Sequence, residues 1–413
     1  MEEQITRFFE AIAETHMAAL LGVMVICIGV LGKSADWMVE KSVTLSLRTG
    51  MPKVIVGATI VSVGTTFPEA VVSVLAAVGG NPDIALGNAV GSIICDTGLI
   101  LGTACLMAPL PLHRHVVNRQ GWVQFGSGVI LVLFCIPWAD PGSIFSGNSR
   151  LSQTAGFAFL AGLIFYMVWS VRLARHSDDE SSEESEHDSP VPLLILSIFV
   201  GSLFVVMSST GLIECTKILA TAAGVPTGVI AATIVAFGTS LPELVTAVTA
   251  VRKGQGALAV GNVIGADILN VLFVAGAAAA VTPQGLTVQP FFFKLQFPAM
   301  LLILLCFRVG IAVAKEEKLT RPFGVVLVSF YVIYLIFTLS IAPPTGVALT
   351  DRVQIRAHGP ERSTTAALRE VPERSPSVAL PSRSIVEPVA VRTDLHQSEV
   401  VRQRSELPAG FRR

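Results

Sequence analysis

Two short stretches of the chain repeat the same unusual combination of residues, and their chemistry suits a bound cation. They read Gly64-Thr65-Thr66-Phe67-Pro68-Glu69 and Gly238-Thr239-Ser240-Leu241-Pro242-Glu243. Each lies inside an apolar run that is long enough to cross a bilayer. An acidic residue at the centre of a spanning helix costs at least about 2.5–3.5 kcal/mol. A cation shared by the two copies would offset that cost at both places.

The first hexapeptide groups several oxygen atoms together. Residues three and four apart lie on one helix face, so Thr65 and Thr66 share a face with Glu69. Pro68 has no N–H, which leaves the carbonyl of Gly64 without its helical partner. At membrane depth such a carbonyl is tolerated where it lines a cavity or is otherwise satisfied. The second hexapeptide supplies the same groups in the same order, from Gly238, Thr239, Ser240, Pro242 and Glu243.

The helix after each hexapeptide extends this set of ligands. Asn88, Ser92 and Asp96 are spaced four apart and form a polar stripe on one helix face. Carboxylate, hydroxyl, amide and carbonyl oxygens, without Cys or His, indicate a hard cation. Calcium accepts six to eight such oxygens, whereas magnesium keeps its water and zinc or copper prefers thiolate or imidazole. The counterparts in the second copy are Asn262, Ala266 and Asn270.

A shift of 174 positions aligns the two copies without a gap. It keeps Thr, Pro, Glu and Asn in register, which chance similarity between apolar helices would not do. The glycine pairs 87/91 and 261/265 also coincide, and their small-xxx-small spacing predicts close helix packing. With five spans in each half, the second copy enters the membrane from the opposite side. Such an inverted repeat is typical of alternating-access transporters with a site near the midplane.

The composition indicates a polytopic membrane protein. Of the 413 residues, 52% are hydrophobic and 14% are charged, and the net charge of −1 suggests no nucleic-acid partner. The six cysteines fall in apolar runs without CxxC spacing, so we expect buried thiols without disulfides. We predict ten spans near 17–40, 54–78, 84–108, 121–138, 154–173, 191–216, 226–251, 257–281, 294–314 and 322–342.

These spans define the predicted organisation. The segments are an N-terminal segment 1–16, a first five-helix repeat 17–173, an acidic linker 174–190, a second five-helix repeat 191–342 and a disordered tail 343–413. The two copies described above occupy about 54–108 and 226–281. Lys and Arg concentrate in the odd-numbered loops, which predicts that those loops are cytoplasmic and that both termini lie outside.

Two copies of G-T-[ST]-x-P-E, each followed by a G-N-x-x-G helix, resemble the α-repeats of sodium/calcium exchangers in the calcium:cation antiporter superfamily. The resemblance implies an all-α membrane protein of ten helices in an inverted five-plus-five repeat. It implies exchange of calcium for sodium across a plasma or inner membrane, without enzymatic activity, a cofactor or an evident protein partner. It places the ion-binding carboxylates on Glu69 and Glu243. It also implies hydroxyl ligands at Thr65, Thr66, Thr239, Ser240 and Ser92, and carbonyl ligands at Ser62 and Ala236.

The second helix of each copy departs from the family pattern G-S-N-x-x-[ND]. The third site acid often lies in the second copy, but here Asp96 is in the first copy and Asn270 in the second. We predict that both belong to the site. Glu69 and Glu243 balance one calcium ion, and adding Asp96 would balance three sodium ions. Ala266 lacks the family's hydroxyl, and we expect a packing or rim role for Asp267, which replaces a common Asn.

Each alternative function would require a sequence feature that differs from those of a sodium/calcium exchanger. Proton-coupled relatives tend to read G-N-x-x-E, whereas Gly91 and Gly265 stand at that position and favour sodium. A calcium/proton antiporter or an exchanger of manganese or magnesium remains the alternative, since ligand type does not separate these ions. A cation channel would need a continuous filter, and no repeated filter sequence is visible. An intramembrane enzyme would need a nucleophile–His pair or a His-rich site at membrane depth, and the predicted spans contain neither.

Overall fold

The computed structural model describes residues 17–145, 149–174, 190–223 and 238–341, and they form ten helices joined by short loops and strands. Eight of these helices are long and apolar enough to cross a membrane. The predicted N-terminal segment, the acidic run 175–189, the first part of the seventh span and the tail lie outside the described residues. The helices are α1 Met17–Thr49, α2 Lys53–Val78, α3 Pro82–Met107, α4 Arg114–Cys135, α5 Gln153–Ala174, α6 Val191–Ala222, α7 Leu241–Arg252, α8 Gly256–Ala280, α9 Phe292–Val313 and α10 Arg321–Ile341.

The helix boundaries depart most from the predicted spans where polar residues continue a helix. The first helix runs on from residue 40 to Thr49 because Leu45 is buried and the Ser42 hydroxyl donates to the carbonyl of Met38, 2.7 Å away. The fourth helix begins at Arg114 rather than near residue 121, so its first turns are polar. Apolar content alone therefore underestimates these helices.

The internal repeat is visible in the helix geometry. Both α3 and α8 contain one π-helical turn, at Asp96–Ile100 and Asn270–Ala275. The two turns start 174 residues apart, as do the two helices themselves. A π turn inserts one residue into a helix and is frequent at functional sites. In both halves it begins at a residue that the sequence assigns to the ion site.

Two small antiparallel sheets relate the halves to each other. β1 Leu110–Pro111 pairs with β4 Lys318–Leu319, and β2 Ser149–Leu151 pairs with β3 Leu286–Val288. Paired strands must lie on one side of the membrane, so β1 and β4 mark one side and β2 and β3 mark the other. Since β1 follows α3 and β3 follows the repeat-related α8, the two halves cross the membrane in opposite directions.

Helices α2 and α8 approach each other at backbone distance. A Cβ at Gly261 would overlap the carbonyl of Val54, and one at Gly265 would overlap the carbonyl of Ala58. The small-xxx-small prediction is therefore confirmed for this pair. The positions related to Val54 and Ala58 by the repeat are 228 and 232, which lie outside the described residues.

Alanine at Gly265 is expected to destabilise the protein. The added methyl group has no space between the Ala58 carbonyl and the Ser62 hydroxyl, and overpacking a tight core costs about 1–3 kcal/mol. The measurement is the thermal unfolding temperature of the purified protein in detergent. Gly29→Ala on the exposed face of α1 is the matched control, because no atom of the described residues lies within 4 Å of its added Cβ. An equal unfolding temperature in both variants would contradict the close packing.

Candidate cation-binding site

Four helices bring four carboxylates together in the interior. Glu69 lies on α2, Asp96 begins the π turn of α3, Glu243 lies in the first turn of α7 and Asp267 lies on α8. None of the four is more than 2% exposed. Hydrogen bonds between the helices, from Ser92 to Glu69 and from Asn270 to Asp96, place these side chains in one region of the interior. Such a cluster in a membrane interior requires compensation by cations, protons or hydrogen-bond donors.

The two hexapeptides adopt different backbones despite their similar sequences. Pro68 lies inside a continuous helix, Ser62–Val78. In the second copy the chain turns at Thr239 and Ser240, and a new helix starts at Leu241. Glu243 therefore occupies a first helical turn, where the helix dipole favours a negative charge.

Glu69 is held by the polar stripe of α3. The Ser92 hydroxyl donates to Glu69 Oε1 at 3.1 Å. The Asn88 amide donates to the Glu69 carbonyl at 3.4 Å and to the Ser73 hydroxyl at 3.0 Å. These contacts fix the helix around Glu69 and one of its carboxylate oxygens, and they leave Oε2 without a hydrogen-bond partner among the described residues.

The repeat-related contacts are missing around Glu243. Ala266 replaces Ser92 and has no hydroxyl, and Ala247 replaces Ser73. Both polar atoms of the Asn262 amide are buried and have no partner within the described part of the chain. The two halves therefore offer their carboxylates in different surroundings.

Glu243 is linked instead to the other hexapeptide. The Thr66 hydroxyl, three residues before Glu69, lies 3.5 Å from Glu243 Oε1. The Thr65 hydroxyl donates to the carbonyl of Ser62 at 3.3 Å, which brings a predicted hydroxyl ligand and a predicted carbonyl ligand together. The two hexapeptides thus meet directly.

The third acid pairs with its own repeat mate. The Asn270 amide donates to Asp96 Oδ2 across a distance of 3.4 Å. Both residues are fully buried. Because they are 174 positions apart, the contact lies where the related π turns of α3 and α8 face each other. The exchange of acid and amide between the two copies therefore leaves one carboxylate and one amide at this point.

The remaining predicted ligands are Ser240, Thr239 and Ala236. Ser240 is buried, and its hydroxyl has no partner among the described residues. Thr239 is half-buried, and Ala236 lies outside the described residues. Within those residues, three or more acidic, His or Cys side chains do not converge tightly enough to hold a metal ion by themselves. A cation cage here would have to include hydroxyl, amide or carbonyl oxygens.

The oxygens without partners have the chemistry that such a cage needs. Among the predicted ligands that the structure describes, five buried oxygens from both halves have no partner within the described residues, and they are Glu69 Oε2, Glu243 Oε2, Asp96 Oδ1, Asn270 Oδ1 and Ser240 Oγ. Buried oxygens without hydrogen bonds are costly in a membrane interior. A set of hard oxygens with up to three negative charges can coordinate calcium or several sodium ions.

The sequence analysis missed one polar cluster. Asp267, given a packing or rim role, is 1% exposed and bridges three helices. Its Oδ2 accepts hydrogen bonds from the Thr97 hydroxyl and from the Gln124 amide. A glutamine in the apolar fourth span was the available signal, but helix spacing could not reveal its partner on another helix.

Comparisons with known proteins agree with this architecture. A family model described as sodium/calcium exchanger protein matches residues 19–172 and 193–340. Inner membrane protein YrbG of Escherichia coli (strain K12) is 30% identical over 323 residues, which cover 75% of this chain and 94% of that protein. Sodium/calcium exchanger MaX1 of Methanosarcina acetivorans is 28% identical over 332 residues, which cover 74% of this chain and 94% of that protein.

A solved structure shows the same fold. The sodium-calcium exchanger NCX_Mj, soaked with sodium and no calcium, superposes with a TM-score of 0.66 at 22% identity. The match covers 79% of this chain and 100% of that chain. NCX_Mj has ten helices in an inverted repeat, which confirms the predicted all-α membrane fold of two five-helix halves.

Proposed function

The chain belongs to the sodium/calcium exchanger protein family, and from that premise we propose that it exchanges calcium for sodium by alternating access. The family consists of exchangers, which are transport proteins rather than enzymes. The ions would bind in the central site between α2, α3, α7 and α8. Calcium and sodium are the transported substrates, and the proposed mechanism uses no cofactor and no protein partner.

One observation carries this proposal. Glu69 and Glu243, one from each half, are buried and each keeps a carboxylate oxygen without a described partner. The Thr66 hydroxyl joins the two hexapeptides beside Glu243. Two carboxylates facing a polar interior can neutralise one calcium ion, which supports calcium as the divalent substrate.

The same site would alternate between two loads, which are one calcium ion or three sodium ions. With calcium bound, Glu69 and Glu243 compensate its charge and the nearby hydroxyls complete its coordination. With sodium bound, Asp96 supplies a third negative charge, so three sodium ions are balanced. Because the two loads compete for the same carboxylates, binding one requires release of the other, and that competition couples the two fluxes.

We also propose an orientation for the chain in a cell membrane. The odd-numbered connections, after α1, α3, α5, α7 and α9, are the ones where Lys and Arg concentrate, and they would face the cytoplasm on the side marked by β1 and β4. The connection after α4, which contains Arg150, and the start of α9, which contains Lys294, would face outward, with both termini.

The test is radioactive calcium uptake into proteoliposomes that contain the purified full chain. An outward sodium gradient is expected to drive uptake, and an outward proton gradient without sodium is expected to drive none. Uptake with the proton gradient alone would identify a calcium/proton antiporter. Uptake that needs no counter-ion gradient would identify a channel. Competition by manganese and magnesium tests the choice of divalent ion.

A further inference from the structure

A cluster of polar side chains lies beside the proposed ion site, and the proposed function assigns this cluster no role in ion binding. The cluster consists of Asp267 on α8, Thr97 on α3 and Gln124 on α4, and we call it the Asp267 cluster. The Gln124 amide donates to Asp267 Oδ2 at 2.5 Å and lies 3.3 Å from the Thr97 hydroxyl, which donates to the same Asp267 oxygen. All three residues are at most 1% exposed.

The Asp267 cluster joins the same two helices as the Asp96–Asn270 pair. Thr97 follows Asp96, and the two residues open the π turn Asp96–Ile100. Asp267 lies three residues before Asn270 on α8. Two hydrogen-bonded bridges therefore cross between α3 and α8 side by side, one at the proposed sodium ligand and one at the next residue.

The cluster has no counterpart related by the internal repeat. The 174-residue shift relates Asp267 to Ile93, Thr97 to Val271 and Gln124 to Pro298. None of those residues can make the same side-chain hydrogen bonds. The π turn that contains the acid is thus anchored by a buried carboxyl group, and within the described residues the related turn that contains Asn270 has no equivalent anchor. An anchor found only beside Asp96 points to a role for Asp96 itself.

We propose that Asp267 and Gln124 are positioning residues that act through Thr97 to fix the direction of the Asp96 carboxylate. Among the described residues the Asp96 side chain has one hydrogen bond, from the Asn270 amide at 3.4 Å, and its Oδ1 has no partner. Its own contacts therefore do not determine its orientation. Tying down the neighbouring residue of the π turn would hold the carboxylate ready for sodium and reduce the ordering required when the ion binds. This inference rests on the proposed function, in which Asp96 serves the sodium-loaded state.

The test uses Thr97→Val, which removes the hydroxyl but changes neither charge nor volume appreciably. A change at Asp267 would alter the charge beside the site and confuse the result. The readout is the concentration of sodium, and separately of calcium, that gives half of the ligand-induced rise in the unfolding temperature of the purified chain. This readout reports ion binding in every variant, whether or not it transports.

Thr97→Val is expected to raise the half-saturating sodium concentration about threefold or more, and to change that of calcium by less than about twofold. Thr97→Ser keeps the hydroxyl and should restore most of the sodium affinity. Gln124→Leu, on a different helix, should weaken sodium binding in the same selective way. In an Asp96→Asn background the effect of Thr97→Val should disappear, because the group being positioned is gone.

Three results would overturn the positioning role. They are equal shifts for sodium and calcium, an undiminished Thr97→Val effect in the Asp96→Asn background, and sodium binding in Thr97→Val equal to that of the unmodified chain. Calcium uptake by the unmodified chain is measured beside these variants. Uptake without sodium coupling would refute the proposed function, whereas normal coupling with a silent Thr97→Val would refute the positioning role alone.

Discussion

Glutamine at either Glu69 or Glu243 is expected to abolish sodium-driven calcium uptake, with a fall of at least about 100-fold in calcium affinity. Both carboxylates are buried, and each is proposed to supply half of the charge that balances calcium. Glutamine keeps the size and one oxygen but removes the charge. Unit charges about 4 Å apart interact by about 4 kcal/mol at the effective dielectric of a protein, so one lost charge exceeds the 100-fold threshold.

The more specific part of this prediction is that the two glutamine variants lose calcium uptake to the same extent. Glu69 has a hydrogen bond from Ser92, while Glu243 has the longer contact with Thr66. If both coordinate one calcium ion, both glutamine variants lose uptake despite these different surroundings. The measurement is calcium uptake against an outward sodium gradient, with membrane insertion checked by the yield of folded protein. Exposed Glu40 on α1 offers the matched control Glu40→Gln, which should transport normally.

Retained uptake in either variant would mean that its carboxylate is structural. A structural glutamate would be neutral between helices, and glutamine would imitate it closely. Loss of uptake in Glu40→Gln as well would indicate a general loss of folding rather than loss of the site.

The sequence predicted the repeat well because its register depends on local features. Proline, glycine and the polar residues at helical spacing are properties of single helices, and they placed Glu69, Glu243 and the π-turn residues Asp96 and Asn270 in related positions. The structure confirms that relation through helices and π turns that start 174 residues apart. The inverted topology followed from an odd number of spans in each half, and the solved fold of NCX_Mj confirms it.

The differences between the two halves could not be predicted in the same way. The same helix-breaking effect was expected of both prolines. In the structure Pro68 lies within a helix and Pro242 lies near the start of another. That outcome depends on packing against neighbouring helices, which periodicity does not describe. Asp267 has two partners on two other helices, Thr97 on α3 and Gln124 on α4. Spacing along α8 could therefore suggest a rim position but could not reveal a buried bridge to Gln124.

Asparagine at Asp96 is expected to remove the voltage dependence of calcium transport. With three carboxylates the site would exchange three sodium ions for one calcium ion and move one net charge in each cycle. With two carboxylates the sodium load would fall to two ions and the cycle would become electroneutral. For one net charge, a potential of about 60 mV changes the limiting calcium gradient about tenfold, and in Asp96→Asn that change should vanish.

The measurement is calcium uptake into sodium-loaded proteoliposomes whose potential is set by a potassium gradient and valinomycin. Asparagine keeps an oxygen at the position that accepts the Asn270 hydrogen bond, so the variant removes charge with little change in shape. The exposed Asp140 provides the matched control, and Asp140→Asn should keep the voltage response. An unchanged response in a transporting Asp96→Asn variant would show that Asp96 is not counted in the sodium load. The two glutamates alone would then set the charge of both loads, and the anchored π turn beside Asp96 would need a purely structural explanation.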